Sequence, residues 1–147
     1  MLKINKKVEY ALIVLKHFET MPKDTLITAR MVCEKYKTPF DTTSRVMQIM
    51  NQKSILRSSQ GVNGGYLLNI NLLDINYLQL TEMIEGKNLN HNCSDLKCSL
   101  ISTCNITKPI IRLNDLLNNF FKNLSIKELL TENPALDNVF TTKAINE

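Results

Sequence analysis

The chain has 147 residues, 44% hydrophobic and 22% charged, and a formal net charge of +4. That is enough for one globular domain plus an extension, and too apolar for a disordered chain. No stretch approaches the roughly 18 apolar residues of a membrane span, and MLKINKKVEYAL lacks the apolar run of a signal peptide, so a cytoplasmic protein without a membrane partner is expected.

Charge is unevenly spread. Residues 1–66 hold eleven Lys/Arg against five Asp/Glu, whereas residues 67–147 hold seven against nine. A basic first half joined to a mildly acidic second half points to contact between the first half and a polyanion.

From about Lys6 to Thr20, Val8, Ala11, Leu12, Leu15 and Phe18 recur at helical spacing, and Pro22 closes the segment. Thr28 caps a second predicted helix with Ala29, Val32, Cys33 and Tyr36 as its buried stripe. Cys33 there reads as a small core hydrophobe. Pro39 breaks the chain, and a third helix is predicted over residues 41–53, its apolar face Thr43, Val46, Met47 and Met50. Its other face offers Thr42, Ser44, Arg45, Gln48 and Gln52. Two short helices joined by a tight break, the second polar on its outer face, make a helix-turn-helix pattern.

Ile55 and Leu56 open a short strand, and Tyr66, Leu67 and Leu68 begin its return. Asn63-Gly64 between them is a hairpin signal, since both positions tolerate positive φ. The hairpin reads as a wing, its tip carrying Arg57, Ser58, Ser59 and Gln60 close to phosphate. A fourth helix, from about Tyr77 to Glu85, ends at Gly86.

Cys93, Cys98 and Cys104 then fall within twelve residues, in a polar stretch that reads as a loop. Thiolates are soft ligands, and such spacing suggests a metal or an iron–sulfur cluster before disulfides. His91 is a nearby fourth donor. Three Cys with one His also suit a structural zinc, and the thiols alone suit a redox switch.

Ile106, Ile110, Leu113, Leu117, Phe120 and Leu124 follow at spacings of 4, 3, 4, 3 and 4, with Leu116 and Phe121 widening the face. This predicts a long helix starting near Pro109 that packs on its own core and on a second copy of the chain. Ser125-Ile126-Lys127-Glu128 fits a capping box opening a last short helix. The expected fold is mainly α with a small β-hairpin: a winged helix-turn-helix domain (1–86), a cysteine-containing loop (87–107), a dimerisation helix with a short terminal helix (108–132) and a polar tail (133–147).

The order of elements resembles the Rrf-two-type winged-helix transcription regulators, in particular their iron–sulfur-binding branch of cluster-assembly regulators and nitric-oxide sensors. Leu2-Lys3-Ile4 with Tyr10-Ala11-Leu12, the wing Gly61-Val62-Asn63-Gly64-Gly65-Tyr66-Leu67-Leu68, the ending Glu85-Gly86, the cysteine triplet and Leu124-Ser125-Ile126-Lys127-Glu128-Leu129 carry the resemblance over residues 1–132. It implies a homodimer on a pseudo-palindromic double-stranded DNA operator. It also implies a [2Fe–2S] or [4Fe–4S] cluster on Cys93, Cys98 and Cys104. Glu9 sits where the nitric-oxide sensors place an acidic ligand, supplied by the other subunit. The chain departs from the pattern in its four-residue first cysteine spacing, in Thr107 where a His ligand is common, and in Gln60 where the wing commonly has Arg.

The function expected is a transcription regulator, with no enzymatic activity, whose operator affinity follows its cluster. Thr42, Ser44, Arg45 and Gln48 of the third helix are the candidate DNA contacts, with Arg57, Ser58, Ser59, Gln60, Asn63 and Gly64 of the wing. The alternative is a winged-helix repressor with a structural zinc or a thiol switch that senses a small molecule. A thiol redox enzyme or electron carrier fits poorly: there is no CxxC, no glycine loop leading into a helix, and His17 and His91 are the only histidines.

Overall fold

The computed structural model describes residues 4–86, 98–99 and 102–131. Within them, three helices form the heart of the fold. Helix α1 (Lys6–Thr20) begins where the Asn5 side chain accepts the Lys7 amide, and buries Val8, Ala11, Val14, Leu15 and Phe18 along one face. Helix α2 (Ala29–Tyr36) starts at Thr28, whose hydroxyl accepts the Met31 amide at 3.2 Å. It ends at Lys37 with φ 57°, a left-handed cap. The turn through Pro39 then launches α3 (Phe40–Gln52), one residue earlier than its periodicity suggests.

The four residues expected on the inner face of α3 (Thr43, Val46, Met47 and Met50) are each 0% exposed. A buried threonine needs a partner for its hydroxyl, and Thr43 Oγ1 donates to Thr38 Oγ1 at 2.9 Å. Thr38 in turn points to Cys33 Sγ at 3.5 Å. Cys33 is only half-buried and lies outside the core, so its place in the stripe is peripheral.

Strands β1 (Leu56–Ser59) and β2 (Gly65–Leu68) pair antiparallel, Leu56 facing Leu68 and Ser59 facing Gly65. The other edge of β2 is also occupied. Ile27, from the α1–α2 connection, exchanges backbone hydrogen bonds with Tyr66 at 3.0 and 2.9 Å. Gly65 suits this close crossing, since a Cβ there would lie 3.2 Å from the Ile27 carbonyl oxygen and the backbone would have to give by a few tenths of an ångström.

The wing's strands run further than expected, and its tip lies beyond Arg57, Ser58 and Ser59. Arg57, Ser58 and Ser59 belong to strand β1, and the connection runs from Gln60 to Gly64. The positive φ falls on Gly61 (125°) and not on Asn63-Gly64, because the turn closes through the Gly64 amide and the Gly61 carbonyl at 3.0 Å.

Helix α4 (Tyr77–Glu85) has a reciprocal capping box of Asn76 with Gln79 and ends at Gly86, φ 67°. Helix α5 (Thr107–Asn123) leads into α6 (Ile126–Leu130), itself opened by the Ser125–Glu128 capping box. Three backbone hydrogen bonds stitch this junction to the winged region: Tyr77 to Leu124, Ile126 to Ile75 and Lys127 to Leu72, each 2.9–3.0 Å. Ile126, 0% exposed, plugs the same core as α1 and α4. Among the described residues, no helix is long and apolar enough to cross a membrane.

Candidate nucleic-acid interface and cysteine segment

Because α3 turns its apolar stripe inward, its opposite face is offered to solvent. Arg45 and Gln48 are exposed there, and Thr42 and Ser44 are half-buried at its margins. Arg57 and Ser58 are exposed on β1, Ser59 is half-buried, and Gln60 and Asn63 are exposed in the connection beside the half-buried Gly64. The Ser58 amide donates to Asn51 Oδ1 at 2.9 Å, which fastens the wing to the end of α3. The two candidate DNA-contacting elements are thereby held as one unit. Asn51 was not legible as a site residue: its role is a tertiary contact to a backbone amide, which leaves no local pattern.

The cysteine segment is described in part. Cys98 is exposed and Cys104 is half-buried just before α5, whereas Cys93 and His91 lie outside the described residues. Hydrogen bonding by the Thr107 side chain foremost, and by the Ile106 and Thr107 backbone, holds the Cys104 thiol below its ordinary range. Thr107 Oγ1 also donates to the Cys104 carbonyl oxygen at 3.5 Å, which ties Cys104 to the first turn of α5. A set rich in thiolates suits an iron–sulfur cluster or zinc. Among the described residues, which lack Cys93, no three His, Cys, Asp or Glu side chains are gathered at one point. Glu9 is half-buried on α1, with its carboxylate 2.5 Å from the Lys6 ammonium.

Helix α5 has no fully buried residue. Phe121 reaches the core, its ring centroid 4.9 Å from that of Tyr77, and Leu124 follows it inward. Ile106, Leu113, Leu116 and Phe120 remain 49–59% exposed. Such a run of large apolar side chains on one helix is unusual on a solvated surface. The other histidine, His17, is buried, and its Nδ1 lies 3.1 Å from the Tyr36 hydroxyl. Burial, with Lys35 adding to it, pushes its pKa down.

Helix, turn, outward polar helix and anchored hairpin define a winged helix-turn-helix protein. Residues 4–132 match the Rrf2 family, described as an iron-dependent transcriptional regulator, and the chain belongs to that family. It is 22% identical over 138 residues to a Lactococcus lactis protein named as an HTH-type transcriptional regulator, YffB, covering 89% of this chain and 88% of that one. Among solved structures, the oxidized form of Staphylococcus aureus CymR superposes with a TM-score of 0.69 at 20% identity, over 90% of this chain and 98% of that one. CymR of B. subtilis, described as its global cysteine regulator, gives 0.69 at 17% identity, over 90% and 100%. IscR of T. potens gives 0.59 at 18% identity, over 88% and 86%. These likenesses establish the winged-helix fold, and the family is one of transcriptional regulators, not enzymes.

Proposed function

We propose that the chain is a homodimeric regulator that binds a pseudo-palindromic DNA operator with an affinity set by an iron–sulfur cluster on Cys93, Cys98 and Cys104. The observation that carries the reading is the match over residues 4–132 to a family described as iron-dependent, joined to a thiolate-rich segment that leads directly into α5. Glu9 of the other subunit is the preferred fourth ligand, and His91 the second choice. Bound there, the cluster supplies a redox- and nitric-oxide-reactive centre.

The chain's own residues do the rest. Arg45 pairs with a guanine edge, and Thr42, Ser44 and Gln48 contact neighbouring bases or phosphates. Arg57, Ser58 and Ser59 of β1, with Gln60, Asn63 and Gly64, position the wing against the backbone. The uncovered face of α5 meets its counterpart in a second copy and sets the spacing of two recognition helices about 34–36 Å apart or a multiple of that. The ligation state of the cysteine segment biases how α5 sits, and a bias of about 1–3 kcal/mol is enough to change operator occupancy. In this reading, residues 1–86 bind DNA, 87–107 hold the cluster, 108–132 dimerise and 133–147 form a tail.

A second reading is a thiol switch or structural zinc with a small-molecule signal. It is favoured by the likeness to CymR, one structure of which is of an oxidized form and another of a cysteine regulator. Purification without oxygen, followed by a visible spectrum and assays of iron, sulfide and zinc, separates the two. Iron with matching sulfide and operator affinity that falls on chelation supports the cluster. A colourless protein with one zinc per chain, or no metal, supports the second reading.

A further inference from the structure

The first residue of α3 is a large aromatic side chain that stands outside the core of the described residues. Phe40 is 51% exposed and belongs neither to the core nor to the partly buried residues packed on it. Keeping half a phenylalanine in water gives up stabilisation that an inward-facing residue would supply. Its place in the fold gives the exposure a meaning. It stands at the N-terminal turn of the recognition helix, the part that reaches base edges when such a helix enters the major groove.

The charge of the same turn narrows the target. Asp41, next in sequence, is exposed. A carboxylate beside a DNA phosphate is repelled, whereas at a base edge it accepts from the amino group of cytosine. An apolar ring beside a carboxylate therefore suits the floor of the major groove better than its phosphate rim. The apolar group displayed there is the C5-methyl of thymine.

We infer that Phe40 is a specificity-determining residue that packs on a thymine methyl in each operator half-site, next to the base read by Arg45. This rests on the DNA-binding reading above and adds a base preference to it. The ring contributes no hydrogen bond and no charge, so the contact is insensitive to salt, unlike those made by Arg57.

The test begins by selecting duplexes from a random-sequence pool with the full-length protein. Each thymine in the selected site is then replaced by uracil, which removes the methyl and nothing else. At one position in each half-site, a single replacement weakens the wild-type protein by about fourfold, the value of one buried methyl, and replacement in both half-sites by about fifteenfold. The same replacement leaves Phe40→Ala unaffected, and Phe40→Leu shows an intermediate response. If no uracil position weakens the wild type, the inference is overturned whatever the variants do. It is equally overturned if Phe40→Ala retains the full uracil effect. If no duplex is selected from the pool, the DNA-binding reading itself fails, a result distinct from either of these.

Discussion

Leu116 tests the assembly of the molecule because it is 59% exposed and lies outside the core of the described residues. Fully burying a leucine is worth about 1.5–3 kcal/mol, so covering the exposed share gives about 1–1.8 kcal/mol per copy. A symmetric interface buries the residue twice, which makes about 2–3.5 kcal/mol per dimer. Leu116→Asp forfeits this and places a carboxylate in each half of an apolar contact, a further unfavourable contribution. From the lost burial alone, the dimer dissociation constant rises by about 30- to 300-fold. Sedimentation equilibrium over a concentration series reads it directly. The monomer stays folded, since an exposed substitution shifts stability within about ±0.5 kcal/mol, and circular dichroism with a thermal melt checks that. DNA binding then shifts from whole operators to single half-sites. A folded Leu116→Asp protein with the wild-type dissociation constant would show that the α5 face is not the interface, and the dimer reading would go with it.

Arg45→Ala should weaken binding by about 1–3 kcal/mol and relax the preference at one operator position. Competition with singly substituted operators checks this, and an equal loss at every position would assign Arg45 to the phosphates instead. Asn51→Ala removes the acceptor for the Ser58 amide. It should cost about 0.5–1.5 kcal/mol in urea denaturation and reduce operator affinity through a loosened wing. Ile126→Ala empties a fully buried site and should cost about 2–5 kcal/mol by the same assay, unlike substitutions at exposed positions of α5. His17 is held neutral by burial, so the unfolded chain takes up its proton first as pH falls. Its contribution to stability is therefore present above about pH 6.5 and declines below it, and the loss between pH 7 and 5 should be smaller in His17→Phe. An unchanged pH slope in that variant would place the acid sensitivity elsewhere.

What was legible in the amino-acid order was mostly local. The caps Thr28, Gly86 and Ser125, and the inner stripe of α3, depend on spacing within a single helix, and periodicity finds such features. Contacts between distant segments were hidden. Nothing near Ile27 marks it as a strand partner for Tyr66, and nothing near Asn51 points to Ser58. The wing shows how a local rule is overridden: Asn63-Gly64 has turn chemistry, yet strand pairing from Leu56–Leu68 to Ser59–Gly65 leaves five residues to connect, and Gly61 takes the unusual φ. Along α5 the apolar stripe was plain, but which members turn home was not. Tyr77 decides that by receiving Phe121, leaving Phe120 outside. The ten DNA-contact candidates lie on elements anchored to each other, whereas the cysteine ligand set is described only at Cys98 and Cys104.

The way the small sheet is closed bears on how many chains can assemble. Strand β2 has a backbone partner on each side, β1 and Ile27, and the outward Ser58 amide of β1 is taken by the Asn51 side chain. The remaining rim of β1 displays the charged Arg57, which discourages strand-to-strand growth. A small sheet with open rims recruits further chains end to end and yields fibres or mixed aggregates. With these backbone groups taken, the wing offers less to a strand from another chain. The α5 surface gathers Leu113, Leu116 and Phe120 along one helix, and a face that pairs with its own copy about a twofold axis is used up when two chains have met.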